Sequence, residues 1–135
     1  MSIIKNYQEI INSKIEKIRI QGTPNELYDP INYILNLKSK RVRPILSLLS
    51  YSLFKEDIDK IIEPSIALEF FHNFTLIHDD IMDNADIRRG EDTIHKKWNN
   101  NIGILSGDLL MIFAYKMLEN VEEKTFKKTF QRYNN

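Results

Sequence analysis

The chain has no cysteine. Disulfides, thiolate nucleophiles and thiolate metal sites are thereby excluded. It also lacks net charge: 19 lysines and arginines balance 19 aspartates and glutamates, so no global attraction to nucleic acid is expected. No stretch approaches the roughly 20 apolar residues of a membrane span. The first residues, Met1-Ser2-Ile3-Ile4-Lys5-Asn6, contain no apolar run of signal-peptide length. A cytoplasmic protein is the expectation. Internal repeats, low-complexity blocks and strand-like alternation are absent as well.

What is present suits one domain over residues 1–135, with 42% apolar and 28% charged residues. The neutral total hides segregation. Lys38-Ser39-Lys40-Arg41-Val42-Arg43 concentrates positive charge, and the stretch from Asp79 to Asp86 concentrates negative charge. Ile4, Tyr7, Ile11, Ile15 and Ile18 recur at helical spacing and predict an amphipathic helix over 3–18. Gln21-Gly22 ends it. Thr23-Pro24-Asn25-Glu26 has capping-box spacing, and Asp29-Pro30 reads as a second start signal. Pro44 can open a helix that carries Ile45, Leu46, Leu48, Leu49, Leu53 and Phe54. The basic residues before it oppose the helix dipole, an arrangement better tolerated when an anion binds there. From Ser65 to about Asn84 the pattern is apolar nearly all round, as expected of a central helix. Residues 85–93 read as a polar loop, 93–98 as a short helical turn, and Asn99-Asn100-Asn101 with Gly103 as turn chemistry. Ser106-Gly107-Asp108 is expected to open the last strong helix. Residues 121–135 form a lysine-rich tail. The class is all-α.

The chemistry concentrates where the central helix ends, in His72-Asn73-Phe74-Thr75-Leu76-Ile77-His78-Asp79-Asp80-Ile81-Met82-Asp83. Asp79 and Asp83 are four apart and share a helix face. His72 lies two turns earlier on that face, while Asp80 is turned roughly 100° aside. No Lys or Arg stands at i±4 to neutralise these acids. Close-set hard oxygens suit Mg²⁺, particularly Mg²⁺ that also holds a phosphate. Taken alone, an acidic helix end is ordinary solvated surface. An EF-hand fits poorly, since the glycine and the distal Glu are missing. Asp86-Ile87-Arg88-Arg89-Gly90 follows at once, and paired arginines beside an acidic knot can bind Mg²⁺ and diphosphate together.

Lys40-Arg41-Val42-Arg43-Pro44, Glu69-Phe70-Phe71-His72, His78-Asp79-Asp80-Ile81-Met82-Asp83, Arg88-Arg89-Gly90 and Ser106-Gly107-Asp108-Leu109-Leu110, in this order, resemble the trans-isoprenyl diphosphate synthases of the polyprenyl synthetase family. The resemblance covers residues ~30 to 120 and implies an antiparallel helical bundle of the isoprenoid synthase type. It implies an enzyme of isoprenoid biosynthesis that joins isopentenyl diphosphate head-to-tail to an allylic diphosphate. By that resemblance Mg²⁺ is the cofactor. Asp79 and Asp83 hold it with support from Asp80, and Arg88 adds charge toward the allylic diphosphate. Lys40, Arg43, His72 and Arg89 hold the diphosphate of isopentenyl diphosphate. His72 has a second reading as a packed core histidine; its place on the aspartate face favours the ligand. His78 reads as structural, and His95 as a substrate contact or a cap of its turn. Phe74 and Thr75, five and four residues before Asp79, occupy the positions that set product length in the family, and a bulky Phe resembles enzymes of shorter products.

Two departures from the family pattern stand out. The usual Gly-Gly before the Lys-Arg is replaced by Lys38-Ser39, which removes the residue type that lets backbone approach phosphate closely. No aspartate follows Asp108, so the second aspartate-rich motif expected on a later helix is missing. The chain therefore resembles the N-terminal half of such a synthase. Three readings are open: a piece of a prenyltransferase inactive alone, an enzyme completed by another chain, or a non-catalytic binding or regulatory half that pairs with a full-length synthase. A half-bundle exposes apolar helix faces, so a homo-oligomer such as a dimer, or pairing with a complementary chain, is expected.

Overall fold

The computed structural model describes residues 2–119 and residue 131. The tail expected over 121–135 lies, Gln131 apart, outside the described residues. Among the described residues 2–119, six α-helices and one small hairpin follow in order: α1 (Ile3–Lys17), α2 (Asn25–Asn36), α3 (Val42–Ser52), a 3₁₀ turn (Ile58–Ile61), α4 (Ile62–Met82), β1 (Ile87–Arg88), β2 (Glu91–Asp92), α5 (Ile94–Lys97) and α6 (Asn100–Lys116).

Helix α1 starts where the Ser2 hydroxyl accepts the Lys5 amide at 3.2 Å. It buries Tyr7, Ile11 and Ile15, one per turn, whereas Ile4 of the expected stripe is exposed. Helix α2 is one run through Pro30, which is buried inside it. Asp29-Pro30 therefore opens nothing: the helix gives up one backbone bond there and packs the ring instead. The expected capping bond is also missing, since α2 begins after Pro24 without a side-chain cap.

Helix α4 is the centre. Its 21 residues span roughly 30 Å, and Ile66, Ala67, Phe70 and Ile77 sit in the core. It ends in a left-handed residue, Asn84, with φ 52°. The Asn84 amide donates to the Ile81 carbonyl at 3.2 Å and the Ala85 amide to Asp80 at 2.9 Å, the pair of bonds that closes a helix C-terminus.

Helix α6 packs along α4 more extensively than any other element. Gly103 faces Ile81, Gly107 faces His78, and Tyr115 meets Phe71. Numbers fall along one helix as they rise along the other, so the pair is antiparallel. A Cβ on Gly107 would come within 2.6 Å of His78 Nε2, so glycine there permits the close approach. The asparagine run is not a turn before the helix: the Asn99 side chain accepts the Ile102 amide at 2.8 Å, and α6 starts at Asn100, well before Ser106.

The expected polar loop is a hairpin. Ile87 pairs with Asp92 and Arg88 with Glu91. The two-residue turn is Arg89-Gly90, with φ 56° and 80°, the double positive φ of a tight hairpin turn. Thr93 secures its base by donating its hydroxyl to the Ala85 carbonyl at 2.8 Å. From α2, the Tyr33 hydroxyl donates to the Asp92 carbonyl at 2.8 Å.

Candidate functional site

The C-terminal end of α4 separates its three acids by environment. Asp79 and Asp83 are exposed, and neither forms an ion pair with another described residue. Asp80 is buried at 3% exposure. Its carboxylate takes both arms of Arg88, from Nε at 3.1 Å and from Nη2 at 2.6 Å. The acidic knot is thus not wholly uncompensated; the hairpin brings a cation that helix spacing could not show. The hydrogen bond to Asp80 raises the Arg88 pKa most, against desolvation, and the charges of Asp80, Asp79 and Asp83 raise it further. Asp79 and Asp83 meanwhile sit at the negative end of the α4 dipole, with no basic residue in the last turn. A cation is favoured there.

Among the described residues no three acidic or histidine side chains converge on one point as a closed metal cage would. Two free carboxylates a turn apart suit Mg²⁺ nonetheless, because this ion keeps several waters and is commonly held by one or two carboxylates plus substrate phosphates. The donor set therefore fits.

The basic segment before α3 also divides. Arg43 is exposed and its Nη1 lies 3.1 Å from His72 Nε2. A guanidinium only donates, so that nitrogen of His72 accepts. Burial holds the His72 pKa below its ordinary value of 6.5, and Arg43, Arg89 and Arg88 push the same way against Glu69. Lys40 is exposed. Arg41 turns inward instead and is 4% exposed. It donates to Glu69 Oε1 at 3.0 Å, to Asn12 Oδ1 at 3.0 Å and to the Leu35 carbonyl. Arg89 also points in, donating to the Ile34 carbonyl at 3.1 Å with Glu69 Oε1 3.9 Å away. Desolvation lowers its pKa first, then Arg41, while Glu69 opposes.

The sequence pattern assigns no role to Glu69 or Asn73 and reads Arg41 only as one of the basic residues beside an anion, whereas the structure turns it inward. One signal did exist: a Glu between Leu68 and Phe70, in a helix apolar on most faces, demands a buried cation. Asn73 donates to Glu69 Oε1 at 3.3 Å and to its carbonyl at 2.7 Å. Phe74 stacks edge-on between Phe71, centroids 5.3 Å apart, and His78, 4.9 Å. The Thr75 hydroxyl is spent on the His72 carbonyl at 2.6 Å. His78 is held against α6, Nε2 lying 3.1 Å from the Ile104 carbonyl. His95 lies within α5, and its Nδ1 is buried with no hydrogen-bond partner among the described residues.

The end of α4 thus combines two free carboxylates with the clamped Asp80–Arg88 pair, and the Arg43–His72 pair lies two turns up the helix. Comparison with known proteins gives this arrangement a context. Residues 24–134 match the family model described as Polyprenyl synthetase. The chain is 41% identical over 116 residues to the geranylgeranyl pyrophosphate synthase of Geoglobus acetivorans, covering 86% of this chain and 36% of that one. It is 37% identical over 121 residues to the geranylgeranyl diphosphate synthase of Methanosarcina mazei, covering 90% and 37%. A crystal structure of a geranylgeranyl pyrophosphate synthase superposes with a TM-score of 0.90 at 42% identity, covering 98% of this chain and 41% of that one. That of Pyrococcus horikoshii superposes at 0.86 and 34% identity, covering 95% and 40%. The chain spans well under half the length of these relatives. Among the described residues no helix is long and apolar enough to cross a membrane.

Proposed function

The chain belongs to the polyprenyl synthetase family, and from that premise we propose that it supplies the substrate-gripping wall of a trans-prenyltransferase that joins isopentenyl diphosphate to an allylic diphosphate. The observation that carries this is the division of the acids: Asp80 is sequestered by Arg88, while Asp79 and Asp83 remain free at the dipole-negative end of α4. Bound Mg²⁺ would supply charge neutralisation that makes diphosphate a competent leaving group. Asp79 and Asp83 would hold it, with Asp80 fixing the helix end behind them through Arg88.

The residues of the chain then have distinct tasks. Lys40 and Arg43 grip the diphosphate of isopentenyl diphosphate, and His72 holds the Arg43 guanidinium beside it. Arg89, bound to the Ile34 carbonyl, contributes charge from behind. Arg88 adds positive potential toward the allylic diphosphate while tethered to Asp80. The diphosphate leaves the allylic carbon, the alkene of isopentenyl diphosphate forms the new carbon–carbon bond, and a proton is lost. Phe74, wedged between Phe71 and His78, limits how far the product grows. A second copy or a complementary chain covers the exposed apolar faces.

The test is incubation with isopentenyl and geranyl diphosphates, with and without Mg²⁺, and product identification by mass. A longer prenyl diphosphate that disappears with Asp79→Ala supports the enzyme. Mg²⁺-dependent diphosphate binding without product supports a binding half that pairs with another synthase. Neither product nor binding refutes both.

A further inference from the structure

The loop from Lys38 to Arg41 contains no glycine, yet it must turn sharply into α3. The left-handed conformation falls on Arg41, with φ 52°. A residue with a side chain is disfavoured in that conformation, and it persists where its surroundings over-determine it. Here the surroundings do so. The Arg41 guanidinium is shared among three helices: Asn12 of α1, the Leu35 carbonyl at the end of α2, and Glu69 of α4. Its own amide bonds the Ser39 hydroxyl at 3.3 Å. From α1, the Gln8 amide reaches the Lys40 carbonyl at 3.3 Å and the Ser39 carbonyl at 3.5 Å. Arg41 is 4% exposed, so it offers nothing to a ligand. Its neighbours Lys40 and Arg43 are both exposed.

We propose that Arg41, braced by Asn12 and Glu69, is the positioning residue of the diphosphate grip: its anchored left-handed backbone aims Lys40 and Arg43 at one anion. The inference rests on the reading of Lys40 and Arg43 as diphosphate ligands. The fork geometry is essential to it. Lysine keeps the charge but cannot reach Asn12, Glu69 and the Leu35 carbonyl together. Asn12 contributes one acceptor from a half-buried position on α1, so its loss should leave the fold intact while loosening the guanidinium.

The experiment uses the 135-residue chain and inorganic diphosphate, titrated by calorimetry at low salt and again at several salt concentrations. Unsubstituted chain, Arg43→Ala, Arg41→Lys and Asn12→Ala are compared, each with its thermal unfolding midpoint. Arg43→Ala should lose diphosphate affinity, which tests the underlying reading. Arg41→Lys should weaken binding about tenfold, the loss of one charge-assisted contact, and Asn12→Ala should weaken it several-fold. The decisive readout is the salt dependence. If the loop loses its aim, Lys40 and Arg43 no longer act together and the slope of log affinity against log salt becomes shallower in both variants. A residue that merely stabilises the fold would lower the unfolding midpoint and leave that slope unchanged. If Arg41→Lys does not fold, Asn12→Ala decides. Binding that is lost with Arg43→Ala but keeps its affinity and slope in the folded Arg41 and Asn12 variants overturns this inference alone. No binding by the unsubstituted chain, or none lost with Arg43→Ala, overturns the functional reading and this inference with it.

Discussion

Glu69→Gln should be among the most damaging single-atom exchanges in the molecule. Glu69 is 1% exposed and Arg41 is 4% exposed, with 3.0 Å between their charged atoms. The substitution keeps the shape and the acceptor oxygen but leaves the Arg41 charge buried without a counter-ion. Removing one partner of a buried ion pair costs about 3–5 kcal/mol. Arg89, 3.9 Å from the same oxygen, loses its attraction too, although it keeps its bond to Ile34. A cost of about 3 kcal/mol is a large fraction of the roughly 5–15 kcal/mol that holds a typical domain folded. Urea unfolding followed by far-ultraviolet circular dichroism measures it, provided the slope with denaturant is unchanged. A double variant, Arg41→Met with Glu69→Leu, removes both charges and should be more stable than Glu69→Gln, because the Arg41 charge is then no longer buried without its counter-ion. A loss under about 1 kcal/mol for Glu69→Gln, or a double variant worse than the single, would refute this reasoning.

Further outcomes follow from the same geometry. Burial and the Arg43 charge depress the His72 pKa below 6.5, so the unfolded chain takes up its proton first as pH falls. Stability from the neutral ring is therefore present above 6.5 and lost as pH drops through the folded-state pKa; His72→Gln should flatten the fall in unfolding midpoint just below pH 6.5, and an unchanged profile contradicts this. Gly107→Ala places a Cβ 2.6 Å from His78 Nε2, costing about 1–3 kcal/mol of overpacking against roughly 1 kcal/mol of helix propensity gained. Adding His78→Ala should recover stability, and failure to do so shows the clash is not the cause. Phe74→Ala should lengthen the prenyl product read by mass, and an unchanged product sinks the length-setting role. Leu105 and Ile112 are 51% and 58% exposed on α6; light scattering should show self-association, and a clean monomer argues against it.

Local periodicity carried much of this architecture. The spacing of Tyr7, Ile11 and Ile15 gives α1, and Asp79 and Asp83 do lie together at the exposed end of α4, seven residues and more beyond His72 as helix geometry requires. The hairpin was invisible because strands of two residues have no alternation, and its turn is Arg-Gly rather than the usual Asn-Gly. The start of α6 was misplaced because Asn99 caps a helix as readily as asparagines make turns, and because Gly103 and Gly107 serve helix packing. Pro30 looked like a start because a proline inside a helix is normally too costly. The pairings that organise the site were hidden for another reason. Arg41 and Glu69 are 28 residues apart, and Arg88 reaches Asp80 across a tight hairpin. Residue spacing encodes neighbours on one helix; which buried charge meets which is decided by how helices cross.

The central claim is that Asp79 and Asp83 hold Mg²⁺ against a prenyl diphosphate. Calorimetric titration of geranyl diphosphate into the chain, with Mg²⁺ and with EDTA, tests it most directly. The account predicts binding that needs Mg²⁺ and is lost in Asp79→Ala and in Asp83→Ala, with folding intact. Binding that is indifferent to Mg²⁺, or that survives both substitutions, would contradict it.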